Sequence, residues 1–103
     1  MDLEEYDKAK KMLYKSLRIR KRTFGEKHPD IANSYYCLAR AYEKEKEDIT
    51  ALNYYFKAYR ICVLLLGFNH FHTQDVYTNM RLLWYKSMVR GSFNDWLEKK
   101  MKE

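Results

Sequence analysis

Two segments, "FGEKHPDIANSYYCLARAY" (residues 24–42) and "LGFNHFHTQDVYTNMRLLWY" (residues 66–85), share an order of features. Each opens on a bulky apolar residue and a glycine, places a histidine three residues on, and runs into an aromatic-rich segment. Gly25 and Gly67 are 42 positions apart, as are His28 and His70. The same stride pairs Ala9 with Ala51, Leu13 with Tyr55, Ile19 with Ile61, Phe24 with Leu66, Tyr35 with Tyr77 and Tyr42 with Trp84. Small falls on small and aromatic on aromatic, so the chain carries two copies of one structural unit.

Working outward from these segments, the apolar residues recur with helical period. Ala51, Tyr55, Ala58, Tyr59, Cys62 and Leu65 make one stripe of an α-helix, and Ala32, Tyr35, Leu38, Ala39 and Tyr42 a second. Ala9, Leu13, Ser16 and Leu17 make a third; Tyr77, Met80, Leu83, Trp84 and Met88 a fourth. Gly25 and Gly67 stand where a helix ends in a left-handed residue. Pro29 suits the first turn of the next helix, and Asp30 complements the dipole there. The second copy has Phe71 in place of that proline, which leaves Asn69 or Thr73 as its cap. The spacing predicts helices over 3–24, 29–45, 48–66 and 71–89, with a short helix over 93–101. Connections of two to six residues require antiparallel neighbours. No segment alternates with period two, so the expected class is all-α within a single domain over 1–103.

Bulk composition agrees. Three glycines and one proline in 103 residues are too few for a turn-rich β-sandwich. Ten tyrosines point to an interior built from amphipathic rings. The longest apolar run, residues 61–66, is far short of the roughly 20 residues of a membrane span, and the acidic start "MDLEEYDKAK" has no signal-peptide core. Cys37 and Cys62 lie 25 apart without a metal-binding spacing. They read as free thiols in a reducing, cytoplasmic compartment.

Taking Ala32 as the first position of a unit, Tyr35, Leu38, Ala39, Tyr42, Ala51, Tyr55 and Ala58 resemble the signature of the tetratricopeptide repeat, a helix pair of small and aromatic residues. The long stride and the "FGEKHPDIA" connector are similar to the repeats of kinesin light chains. The resemblance spans about residues 6–88 and implies a right-handed α–α superhelix of about four antiparallel helices. The departures are specific. Lys46 stands where a glycine usually turns the chain, and Tyr36 and Cys37 replace the paired asparagines that bind peptide in kinesin light chains. That cargo-binding mode is not carried over. "GSFNDW" (91–96) echoes a second-helix start in shifted register and is read as a terminal cap, with Phe93, Trp96, Leu97 and Met101 covering the last repeat. Helix 3–24 lacks its own first-helix partner. A preceding repeat, a second copy of the chain in a homo-oligomer, or its own polarity would account for the open face.

The resemblance also implies a function: a non-enzymatic module that binds a protein or peptide in a concave groove between helices 29–45 and 71–89. Groove positions map onto Asn33, Tyr36, Arg40, Glu43 and Lys44, and onto Asp75, Thr78, Leu82, Tyr85 and Lys86. Arg40, Lys44 and Lys86 suit carboxylates, Asn33 a peptide backbone, and Tyr36 and Tyr85 flat amphipathic contact. The plain reading of the same residues is a solvated helix face. Other chemistries find less support. Residues 8–22 hold eight Lys and Arg and no acid in a chain of net charge +6. No nucleic-acid motif accompanies them, and they read as the polar side of an outer helix rather than a nucleic-acid or anionic-surface site. His70 and His72 have metal-like spacing but no further ligands. Neither a phosphate loop nor a nucleophile motif is present, so no cofactor, metal or catalytic residue is assigned.

Overall fold

The helical period and the scarcity of breakers are realised as five helices in a computed structural model that describes residues 3–25, 27–87 and 90–103. They are α1 (Leu3–Phe24), α2 (Pro29–Lys44), α3 (Asp48–Leu66), α4 (Phe71–Lys86) and α5 (Phe93–Met101). The described residues contain no strand. Two ends differ from expectation. The helix expected over 29–45 stops at Lys44, because Glu45 is its cap and Lys46 turns the chain with a positive φ of 63°. The Glu47 N–H then donates to the Tyr42 carbonyl at 2.9 Å and closes the turn without the expected glycine. The helix expected over 71–89 is seen to Lys86, with Ser87 as its cap; Met88 and position 89 lie outside the described residues.

The two histidines found by the 42-residue stride do the same work. Nδ1 of His28 accepts from the Asp30 N–H at 3.1 Å, and Nδ1 of His70 from the His72 N–H at 3.2 Å, each capping the helix that follows. The caps expected at Asn69 or Thr73 are not used. Thr73 is instead fully buried, and its hydroxyl has no hydrogen-bond partner among the described residues. Gly67 takes φ 87° and ψ 165°, a region open only to glycine, rather than the left-handed helical geometry expected there.

Packing follows chain order: α1 on α2, α2 on α3, α3 on α4, with α5 closing the far side of α4. Ala39, Ala51 and Ala58 are completely buried, which lets the helix axes approach, while Tyr35, Tyr55 and Tyr59 fill the remaining space. Leu65, assigned to the same stripe, is 40% exposed because it lines an open concavity rather than the packed core. Residues off the quoted stripes, Ile31, Leu52, Phe56 and Val76, are equally part of the core.

Tyrosine content has a structural explanation at the α1–α2–α3 junction. The Tyr14 hydroxyl meets those of Tyr42 (2.6 Å) and Tyr54 (2.9 Å). Tyr54 stacks on both Tyr42 and Tyr35. Lys10 lies over the Tyr42 ring and Lys57 over Tyr54. At the other end α5 acts as the expected cap: Phe93 is buried against Tyr77 and Trp84, and Trp96 packs on Phe56 and Trp84. Met101, expected to help, is 37% exposed, since the helix ends there beyond the repeat.

Candidate functional site

The face shared by α2 and α4 holds two concavities. The larger, about 410 Å³, is lined by Pro29, Ala32, Asn33 and Tyr36 of α2, Ile61, Cys62, Leu65 and Leu66 of α3, and His72, Asp75 and Val76 of α4. Its walls are mainly apolar, and burial pushes the Cys62 thiol up from its ordinary value, so this cysteine stays a neutral wall residue. The smaller, about 340 Å³, is lined by Arg40, Glu43, Lys44, Lys46, Tyr55, Asn79 and Lys86. Four cations against one carboxylate make that end electropositive.

A polar bridge joins the helices at this face. The Asn79 amide donates to the Tyr36 hydroxyl at 2.8 Å. Tyr36 in turn sets its ring edge-on to Tyr55, and the Arg40 guanidinium lies over the Tyr36 ring. The buried Tyr55 hydroxyl donates to Glu43 at 2.6 Å, and desolvation, with Glu43 second, raises its pKa far above the usual phenol range. Glu43 is therefore engaged within the fold, and its charge is turned toward Tyr55.

Of the residues expected in the groove, Asn33 and Tyr36 fall in the apolar concavity, and Arg40, Lys44 and Lys86 in the basic one. Thr78, Leu82 and Tyr85 are exposed and line neither. Helical rotation accounts for Thr78 and Tyr85; it does not account for Leu82, which lies only about 40° from the middle of the lining side. With 100° per residue, Asp75, Asn79 and Lys86 share one side of α4, while Thr78 and Tyr85 lie roughly a quarter to a third of a turn away. Asn79 was missed because family positions were applied to α4 without its own period; it stands four residues after Asp75 and seven before Lys86. Ile61, Leu65 and Leu66 were missed because second helices were not expected to reach the groove. The run of apolar residues past the end of the core stripe was the available signal.

Among the described residues no three His, Cys, Asp or Glu side chains gather as a metal set, and no helix is long and apolar enough to cross a membrane. Comparison with family models gives a match to the tetratricopeptide repeat over residues 1–63. Comparison with curated proteins gives no match.

Proposed function

The chain belongs to the tetratricopeptide repeat family, and on that premise we propose that it is a non-enzymatic interaction module binding a peptide or partner helix along the α2–α4 face. Repeats of this family are in general protein-interaction scaffolds, so the open matter is what this face selects. The observation that carries the reading is the change of character along α2, from an apolar hollow at Ala32–Tyr36 to a basic one at Arg40–Lys46. About ten residues of helix separate the two centres, or roughly 15 Å. An extended peptide covers that span in about four or five residues. The ligand this geometry favours has an apolar side chain for the first hollow and a carboxylate, four or five residues away, for Arg40, Lys44 and Lys86. Asn33 offers a backbone hydrogen bond, and the exposed Thr78, Leu82 and Tyr85 extend the contact surface beyond the hollows. Tyr36, locked by Asn79 and Tyr55, is rigid before binding, which spares the ligand the cost of ordering its receptor. A reducing, cytoplasmic setting fits the two free thiols.

Selection from a random peptide library tests this. Wild-type protein is expected to enrich sequences with an apolar residue and an acidic one at that separation. Arg40→Ala combined with Lys86→Ala should weaken the selected peptides by about tenfold or more while helicity and melting stay unchanged. Both side chains are exposed. Full affinity in the double variant would overturn the assignment.

A further inference from the structure

The outer face of α1 takes no part in the α2–α4 site, and its residues carry a second pattern. Ala9, Met12, Ser16, Ile19 and Thr23 are spaced 3, 4, 3 and 4, the seam of a helix that pairs with another helix. Met12 is 73% exposed and Ile19 58% exposed. Along one flank of the seam, seven residues apart, stand Lys8, Lys15 and Arg22, all exposed, with Lys11 and Arg18 behind them.

The 42-residue stride shows what shape belongs there. The same row in α3 is Ala51, Tyr54, Ala58 and Ile61. In α3, Ala51 and Ala58 are fully buried, and Tyr54 stacks on Tyr35 and Tyr42 of α2. A helix covers that row in α3, and no helix among the described residues covers it in α1.

We propose that the Met12–Ile19 seam of α1 docks an amphipathic helix of a separate partner protein, one with an apolar stripe flanked by Asp or Glu. Charge decides among occupants. A second copy in two-fold antiparallel pairing would set Lys15 against its own counterpart and Lys8 against Arg22 of the other copy, like against like. An anionic membrane would meet the cations, but a helix lying in a bilayer surface needs a broad apolar face, and here a single row holds two bulky residues. An acidic helix satisfies shape and charge together.

The probe is a labelled peptide of about four heptads with Leu along its seam and Glu at its flanks; its counterpart carries Lys at the flanks. The full chain is expected to bind the Glu peptide saturably and to lose about tenfold in affinity between low and moderate salt. Met12→Asp with Ile19→Asp should cost a further tenfold or so, with helicity retained because both positions are exposed. Lys15→Glu with Arg22→Glu should reverse the preference toward the Lys peptide, a result that mere unfolding would not give. Arg40→Ala with Lys86→Ala should leave binding intact, which separates this surface from the α2–α4 site. Equal binding of both peptides overturns the proposal. So does binding to phosphatidylserine vesicles without binding to the peptide, or a self-association in sedimentation equilibrium that Met12→Asp abolishes.

Discussion

Helices α1 and α3 are written on one template, yet they are buried to different degrees. Ala51, Tyr55, Ala58 and Tyr59 of α3 are all within the core, whereas of their counterparts Ala9, Leu13, Ser16 and Leu17 in α1 only Leu17 is. The difference lies in neighbours: α3 packs against both α2 and α4, and α1 packs chiefly against α2. A repeat pattern therefore specifies which face a helix offers. How much that face contributes to stability depends on what stands opposite it.

The largest expected effect tests that statement at matched positions. Tyr55 is 1% exposed, so Tyr55→Ala should remove an aromatic ring's burial, leave a cavity and strand Glu43 without its donor, costing about 3–5 kcal/mol. Leu13→Ala, at the equivalent half-buried place in α1, should cost about 1 kcal/mol. Urea denaturation of both variants checks the contrast. Equal losses would mean that α1 is as firmly held as α3.

What could be read beforehand divides along the same line. The 42-residue stride and the helical period of its stripes gave the four long helices, and the shifted echo at 91–96 the fifth, because end glycines and periodicity act within each helix or the turn beside it. The rotation of α4 is written in its own stripe, Met80, Leu83 and Trp84, but the groove positions were taken from the family pattern; that Asn79 meets the Tyr36 hydroxyl of α2 is a tertiary fact. Both histidine caps were also overlooked: neither imidazole was weighed as an acceptor, and Asn69 or Thr73 was expected in the second copy. The apolar hollow draws Ile61, Cys62 and Leu65 from a helix that the family pattern assigns to the back of the structure.

A smaller effect asks whether close approach differs as burial does. Ala58 is wholly buried, so Ala58→Leu must push α3 away from its neighbours and should cost about 1–3 kcal/mol. Ser16→Leu, at the matching place in α1, meets the open seam and should change stability by no more than about 0.5 kcal/mol. Thermal unfolding separates them: the first variant should melt several degrees lower, the second close to wild type. A comparable drop for Ser16→Leu would place a close neighbour against that side of α1 and weaken the case for an open face.

The smallest effect concerns a position where the copies use different chemistry. Leu52 of α3 is buried among apolar groups, and its counterpart in α1 is Lys10. Lys10 donates to Glu45, the residue that caps α2, at 2.8 Å, with Asp7 also nearby, so α1 holds its neighbour by charge where α3 uses an apolar contact. The Glu45 hydrogen bond, working against desolvation, raises the Lys10 pKa above its ordinary 10.5. A raised amine pKa contributes stability that is complete below the unfolded value and disappears as pH climbs through the folded one. Lys10→Met should therefore cost about 1 kcal/mol at neutral pH. The gap between wild type and variant should hold steady up to about pH 10 and close above it. Denaturation curves of both proteins across that range read the gap. A gap that persists at the alkaline end would show that Lys10 acts through its aliphatic stem on the Tyr42 ring, making the α1 contact apolar like that of Leu52 after all.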